Sequence, residues 1–314
     1  MKAAQITGYG GAEVVSINTE VNKPVIKPDE VLVEVHAASV NAFDWKLREG
    51  YMQQMIPLRF PATLGGDCAG EVAETGIEIQ DIVVGEQVFG FANPAGGEGS
   101  FAKFTAVKAG SLAPKPKKAD WGQAAALPLA ASSAYQGLYD HIELKSGDNI
   151  LIHGAAGGIG SFAVQMAKHT GAHVIATCAT DDIDFVKGLG ADEVIDYKTQ
   201  SFETQVKELD AVFDTVGKDE TFIPSHQVLK SGGVLVTMAH GPDEELAKQH
   251  GVKQIVQQSK VTTERLNAVA KLVDSGAIKV IVDKVFPLEQ TGEALTYVQQ
   301  GNQRGKVVID VFHS

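Results

Sequence analysis

From Asn149 to Ser161 the chain reads Asn-Ile-Leu-Ile-His-Gly-Ala-Ala-Gly-Gly-Ile-Gly-Ser, a buried-strand pattern running straight into a glycine-rich turn and an amphipathic stretch. Strand, tight turn and helix in that order leave backbone N–H groups pointing outward at the helix start, where the helix dipole favours a pyrophosphate. Gly154, Gly157, Gly158 and Gly160 permit close approach, Ala155 and Ala156 keep the turn small, and Ile159 opens the apolar face of the helix. The chemistry predicted is dinucleotide binding. An NAD site places a carboxylate about 20 residues after the glycines to hold the ribose hydroxyls. Here that position falls at Thr177-Cys-Ala-Thr180. Nothing there repels a 2′-phosphate, and Thr177, Thr180 and the Tyr197 phenol can donate to one, so NADPH is favoured over NADH. Asp181 and Asp182 follow at once, and no Lys or Arg lies in that loop to pair with the phosphate.

The loop needs a frame, and the surrounding sequence supplies one. Strand-like runs at 149–153, 173–177, 193–196, 211–214 and 233–238 alternate with helix-length segments, which predicts βαβ units on a parallel sheet. Over 159–169, Ile159, Phe162, Ala163, Met166 and Ala167 share one helical face, and Gly171 follows as a C-cap. Before residue 112 the texture differs: short β-branched runs at 31–35, 69–74, 87–91 and 101–107 are punctuated by Gly and Pro. The connector Pro114-Lys-Pro-Lys-Lys118 and a helical stretch over 119–139 separate the two regions. Strand-like composition returns at 278–288 and 304–312 around a helix starting near Glu289. The predicted fold class is therefore α/β. A mainly-β domain spans 1–122, a doubly wound parallel-sheet domain spans 123–264, and 265–314 returns to complete the first.

Composition narrows the partners. The 314-residue chain carries a formal charge of −12, which works against binding nucleic acid or anionic lipid and leaves small molecules. Its longest apolar run, 124–131, is interrupted by Pro128 and is far shorter than the roughly 20 residues of a bilayer-spanning helix. Two cysteines, Cys68 and Cys178, make no disulfide scaffold, and the N-terminal Met-Lys-Ala-Ala-Gln-Ile-Thr-Gly-Tyr-Gly has no continuous apolar core of a signal peptide. A reducing, cytoplasmic setting is expected.

Six stretches, in order, resemble the medium-chain dehydrogenase/reductase superfamily in its zinc-free quinone oxidoreductase-like (zeta-crystallin-like) branch. They are Ser39-Val-Asn-Ala-Phe-Asp-Trp-Lys-Leu-Arg-Glu-Gly50, Leu64-Gly-Gly-Asp-Cys-Ala-Gly70, Gly99-Ser-Phe-Ala-Lys-Phe104, the loop at His153 to Gly160, Asp214-Thr-Val-Gly217 and Gly305-Lys-Val-Val308. The resemblance implies a GroES-like catalytic domain, closed by the C-terminal tail, and a Rossmann cofactor domain, with the active site in a cleft between them and a homodimer as the assembly. Zinc-dependent relatives carry a cysteine ligand where this chain has Asn41, and Gly-His-Glu where it has Gly65-Gly66-Asp67. Two cysteines cannot build a four-thiolate structural site, and His36, His141, His153 and His173 show no paired ligand spacing, so no zinc is expected. By the same resemblance Asn41 lines the substrate site, with Lys46 and Tyr51 as further candidates, Asp44 as a helix N-cap and Trp45 as packing. Ser133 is similar to the family's hydroxyl beside the nicotinamide. Val216 and Gly217 are expected near adenosine, Met238 and Ala239 near nicotinamide, and Lys306 either at a phosphate or on a solvated loop.

Without a metal to polarise a carbonyl, the accessible chemistry is hydride addition to a carbon conjugated with a carbonyl, as in a quinone or an enone. Asn41 can donate to the oxygen that gains charge or fix the nicotinamide ring. The zinc-free quinone reductases commonly have a tyrosine near where this chain has Lys46, so no catalytic phenol carries over to that position and the proton donor stays unassigned. An enoyl-thioester or alkenal reductase, a non-catalytic NADPH-binding protein and a zinc-dependent alcohol dehydrogenase are the rival readings.

Overall fold

The sequence Glu-Val-Leu-Val-Glu-Val-His-Ala-Ala-Ser-Val is almost wholly buried and forms one strand of eleven residues, Glu30–Val40, in the computed structural model, which describes residues 1–313. In chain order the first elements are β1 (Ala3–Ile6), β2 (Val15–Asn18), β3 (Glu30–Val40), α1 (Ala42–Arg48), β4 (Ala62–Thr63), β5 (Asp67–Thr75), β6 (Gln87–Phe91), β7 (Phe104–Lys108), β8 (Leu112–Pro114), α2 (Trp121–Ala125) and α3 (Pro128–Tyr135). The middle contributes β9 (Asn149–His153), α4 (Gly160–Thr170), β10 (His173–Cys178), α5 (Ile183–Gly188), β11 (Glu193–Asp196), β12 (Leu209–Asp214), α6 (Asp219–Val228), β13 (Leu229–Thr237), α7 (Glu244–His250) and β14 (Lys253–Val256). The tail adds α8 (Thr263–Ser275), β15 (Val282–Pro287), α9 (Thr291–Gln300) and β16 (Lys306–Asp310).

The chain separates into two units, Met1–Ser132 with Val261–Gly276 and the tail from Val280, and Ser133–Lys260 with Ala277–Lys279. In the first, a sheet runs β15-β16-β3-β5-β6-β8 with β7 also on β3, and a smaller sheet runs β2-β1-β4. Strand β3 is antiparallel to both β16 and β5, placing Ser39 opposite Asp67 and opposite Val308. The end of β3 therefore meets the starts of β5 and β16. Val31, Val33, Val35, Val307 and Ile309 pack in the core beneath.

In the second unit six parallel strands run β11-β10-β9-β12-β13-β14, which counted from β9 is the order 3-2-1-4-5-6 of a doubly wound dinucleotide fold. Ile150, Leu151 and Ile152 of β9 are fully buried, as a strand with neighbours on both sides requires. The sixth strand, β14, was not expected. Its Lys-Gln-Ile-Val is half polar because it lies at the sheet edge with Lys253 and Val256 exposed.

Side chains move the joints away from 122/123 and 264/265. Residues 123–132 stay with the first unit, where α2 packs on β3 and β5 and the Leu129 N–H donates to Asp67 Oδ1 at 2.8 Å. Thr263 donates to the carbonyls of Ala109 and Leu112, which holds 261–264 there too. Gln165 clamps Lys279 by both its backbone groups, drawing 277–279 into the second unit. The continuous helix expected over 119–139 is broken, because Pro128 starts α3 and a π turn occupies Gln136–His141. Asn41, not Asp44, is the N-cap of α1; Asp44 is its third residue, and its carboxylate accepts the Asn41 N–H at 2.8 Å. No helix among the described residues is long and apolar enough to cross a membrane.

Candidate functional site

The glycine loop lies at the carboxyl end of β9, where the strand order reverses between β10 and β12. Its glycines have different reasons to be there. A Cβ on Gly160 would stand 2.2 Å from the Gly154 carbonyl oxygen, and Gly154 has φ +70°, so both are demanded by the turn itself. A Cβ on Gly157 would meet only that carbonyl oxygen, at 3.3 Å, and otherwise open space. Gly157 and Ser161 turn their N–H groups onto the Gly154 and Gly157 carbonyls, whereas those of Gly158, Ile159 and Gly160 find no backbone acceptor among the described residues. An open face with free donors at the start of α4 fits a pyrophosphate. Ala155 and Ala156 are buried beneath the turn.

Beyond β10 the expected phosphate donors are partly committed. Thr177 is buried and its hydroxyl is hydrogen-bonded to His153 Nδ1 at 3.0 Å, so it is a core residue rather than a surface donor. His153 also meets Ser225 Oγ at 3.1 Å, and burial holds its imidazole down to about 4. Thr180 is exposed, but its hydroxyl donates to Asp196 Oδ2 at 2.7 Å, and that bond leads the causes that hold the Asp196 carboxyl below its usual range. Tyr197 is 59% exposed and available. Lys198, which the sequence reading passed over, is exposed beside it and is near enough to contribute to lowering Asp196. The signal that marks it is its place next to Tyr197, in the turn after β11.

The loops after β12 and β13 adjoin. Asp214 Oδ1 accepts the N–H groups of Val216 and Gly217, and a Cβ on Gly217 would fall 2.5 Å from that of Ala239. The Met238 N–H donates to the Asp214 carbonyl at 3.1 Å. Val216 and Gly217 therefore lie at the carboxyl end of β12, beside β9, and Met238 and Ala239 at the carboxyl end of β13, the next strand out, on the edge of such sheets where ligands bind. Ser133 is buried, with its hydroxyl 2.7 Å from that of Ser259 and its carbonyl accepting from Gln257.

In the first unit, the meeting of β3, β5 and β16 assembles a buried polar group. Asp67 Oδ1 accepts from Leu129 N–H, and Asp67 Oδ2 accepts from Ser39 Oγ at 2.7 Å and from Asn41 Nδ2 at 2.8 Å. Lys306 is 3% exposed; its ammonium donates to Val40 O at 3.0 Å and to Asn41 Oδ1 at 2.5 Å, and lies 3.5 Å from Asp67 Oδ2. It is neither on a solvated loop nor free for a phosphate, which corrects both readings of it. Burial lowers the Lys306 ammonium, with Asp67 and Asp44 opposing, and burial pushes the Asp44 carboxyl up to about 7. Lys46 and Tyr51 stand apart from this group: the Lys46 ammonium lies over Trp45, and Tyr51, 70% exposed, packs edge-on to the same ring. Asp67 and Ser39 were visible in the quoted motifs but unassigned, because their partners lie far off in sequence.

The group does not fit a zinc ion. An ammonium already sits against Asn41 Oδ1 and near Asp67, where it would repel a dication, and among the described residues no three His, Cys, Asp or Glu side chains cluster as ligands. Both cysteines are unpaired and buried, and burial pushes Cys68 up to about 12 and Cys178 up to about 11, so neither is a thiolate at neutral pH.

Residues 27–117 match the family model of the alcohol dehydrogenase GroES-like domain, and residues 189–309 match that of the zinc-binding dehydrogenase family. A chloroplastic quinone-oxidoreductase homolog of Spinacia oleracea is 33% identical over 324 residues, covering 99% of this chain and 98% of that protein. A chloroplastic NADPH-dependent alkenal/one oxidoreductase of Arabidopsis thaliana is 34% identical over 319 residues, covering 98% of this chain and 79% of that protein. The solved quinone oxidoreductase of Coxiella burnetii superposes with a TM-score of 0.92 at 32% identity, over 99% of each chain.

Proposed function

The chain belongs to the medium-chain dehydrogenase/reductase superfamily, in its quinone oxidoreductase-like branch, and on that footing we propose that it is a metal-free, NADPH-dependent reductase of quinones or enones. The observation that carries this reading is the open face at Gly157, with the N–H groups of Gly158, Ile159 and Gly160 beyond it at the start of α4. Residues 154–160 would hold the pyrophosphate, Tyr197 and Lys198 the 2′-phosphate, and the 216–217 and 238–239 loops the two ends of the cofactor. When bound, NADPH supplies a hydride.

The chain's own residues have to orient an acceptor and stabilise the charge that develops on it. As hydride reaches the carbon β to a carbonyl, the π electrons move onto the carbonyl oxygen, and one proton completes the saturated ketone; in a quinone, hydride and one proton give the hydroquinone. Asn41 is the residue assigned to that oxygen. The metal-free part of the reading rests on the Lys306 ammonium beside Asn41 and Asp67, and stoichiometric zinc in the purified protein would overturn it. The same reading expects a homodimer, for which β14 offers an open sheet edge, and a cytoplasmic setting, which two unpaired cysteines support.

The test is NADPH oxidation, followed by absorbance, against 1,4-benzoquinone, 9,10-phenanthrenequinone, an alkenal and a crotonyl thioester, with NADH in parallel. Turnover is expected with a quinone or an alkenal and with NADPH well ahead of NADH. Turnover confined to the crotonyl thioester would make the chain an enoyl-thioester reductase. Binding of NADPH with no turnover across the panel would replace the reductase by a non-catalytic binding protein.

A further inference from the structure

The polar group around Asn41 can be read donor by donor. An ammonium has three N–H bonds, and those of Lys306 have three acceptors: Val40 O, Asn41 Oδ1 and Asp67 Oδ2. The Asp67 carboxylate is likewise filled, by Leu129 N–H on one oxygen and by Ser39, Asn41 and Lys306 on the other. The Asn41 backbone N–H is held by Asp44. On the nitrogen of the Asn41 carboxamide one N–H remains uncommitted, and Asn41 is only half-buried while Ser39, Asp44, Asp67 and Lys306 are all buried.

An inverted amide would set its oxygen against the Asp67 carboxylate and its nitrogen against the Lys306 ammonium. Two attractive contacts would become two repulsive ones, with almost no water at either charge to relieve them. We propose that Lys306 and Asp67 are positioning residues that lock the Asn41 carboxamide with its oxygen inward, so that a substrate meets an N–H donor and the site selects for an acceptor oxygen. This rests on the reductase reading for what the donor does, but not for the lock itself.

Two measurements on the full-length protein separate the lock from the reading. The first needs no turnover: with asparagine labelled by nitrogen-15, hydrogen exchange of the two Asn41 side-chain protons is followed by NMR. The proton donated to Asp67 should exchange at least tenfold more slowly than its geminal partner, and Lys306→Met, if folded, should bring the two rates together. Equal rates in the wild type would overturn the lock. The second uses Asn41→Asp, which keeps an acceptor toward Lys306 but turns an oxygen where the N–H was. At pH 8 its kcat should fall by about 100-fold, the usual loss when one donor to a developing oxyanion is removed. NADPH affinity should stay within about twofold, and kcat should recover as the new carboxyl is protonated on acidification. An unchanged kcat at pH 8 would overturn the donor role. A wild type that reduces nothing would refute the reductase reading while leaving the exchange rates to decide the lock.

Discussion

Thr177 and Thr180 both stand at the end of β10, yet neither hydroxyl is idle: one is hydrogen-bonded to a buried imidazole and the other to the Asp196 carboxylate. A 2′-phosphate here would depend on Tyr197 and on the only cation adjacent to it in sequence, Lys198. A charge-assisted contact contributes about 1.5–3 kcal/mol, or roughly tenfold in affinity and upwards. Lys198→Glu should therefore weaken NADPH by about tenfold or more and leave NADH within about twofold, as read by the fluorescence of the bound nicotinamide. Equal weakening of both would remove Lys198 from the phosphate site. Thr177→Val should leave the NADPH to NADH ratio unchanged, since that hydroxyl serves the core. Asn41 was marked as a candidate by the resemblance of its motif, but its partners were not legible. Asp67 and Lys306 lie 26 and 265 residues away from it in sequence. Only the antiparallel register of three strands brings them together.

At the scale of elements, the βαβ unit around the loop was legible because burial on both faces of a parallel strand writes a continuous apolar run, as in Ile150 to Ile152. The edge strand β14 lacks that constraint and carries no such run, and the break before α3 was masked by alanines on both sides of Pro128. Four glycines in one loop looked equivalent, although the turn demands only some of them. Gly160 packs helix against loop, so Gly160→Ala places a methyl into backbone and should cost about 1–3 kcal/mol, the usual range for overpacking. Gly157→Val meets little protein and should cost far less stability, while its branched side chain fills the face offered to the pyrophosphate. Thermal unfolding and NADPH titration of the two variants should give opposite rankings. Retained NADPH affinity in Gly157→Val would remove this turn from the binding site.

At the scale of the whole molecule, burial disfavours the charge of Asp44 in the first unit and of His153 in the second, and the two act in opposite directions on stability. Asp44 has a folded pKa of about 7 against an ordinary 3.8, so between those values the folded chain binds the extra proton, and stability falls as pH rises through that window. His153 has a folded pKa of about 4 against 6.5, so the unfolded chain binds the extra proton, and stability falls as pH drops through that window. His36, stacked between Trp121 and Phe312 and also lowered by burial, adds to the histidine side. The Asp44 and His153 effects are each worth about 2 kcal/mol between pH 7.5 and 5, at about 1.4 kcal/mol per unit of pKa. The wild type should therefore show little change over that range, because the contributions offset each other. Asp44→Asn, which keeps an oxygen for the Asn41 N–H, leaves the histidines unopposed and should lose stability on acidification. His153→Gln should gain it. Denaturant unfolding at the two pH values decides the point, and parallel shifts in the wild type and both variants would mean that neither buried group titrates with folding.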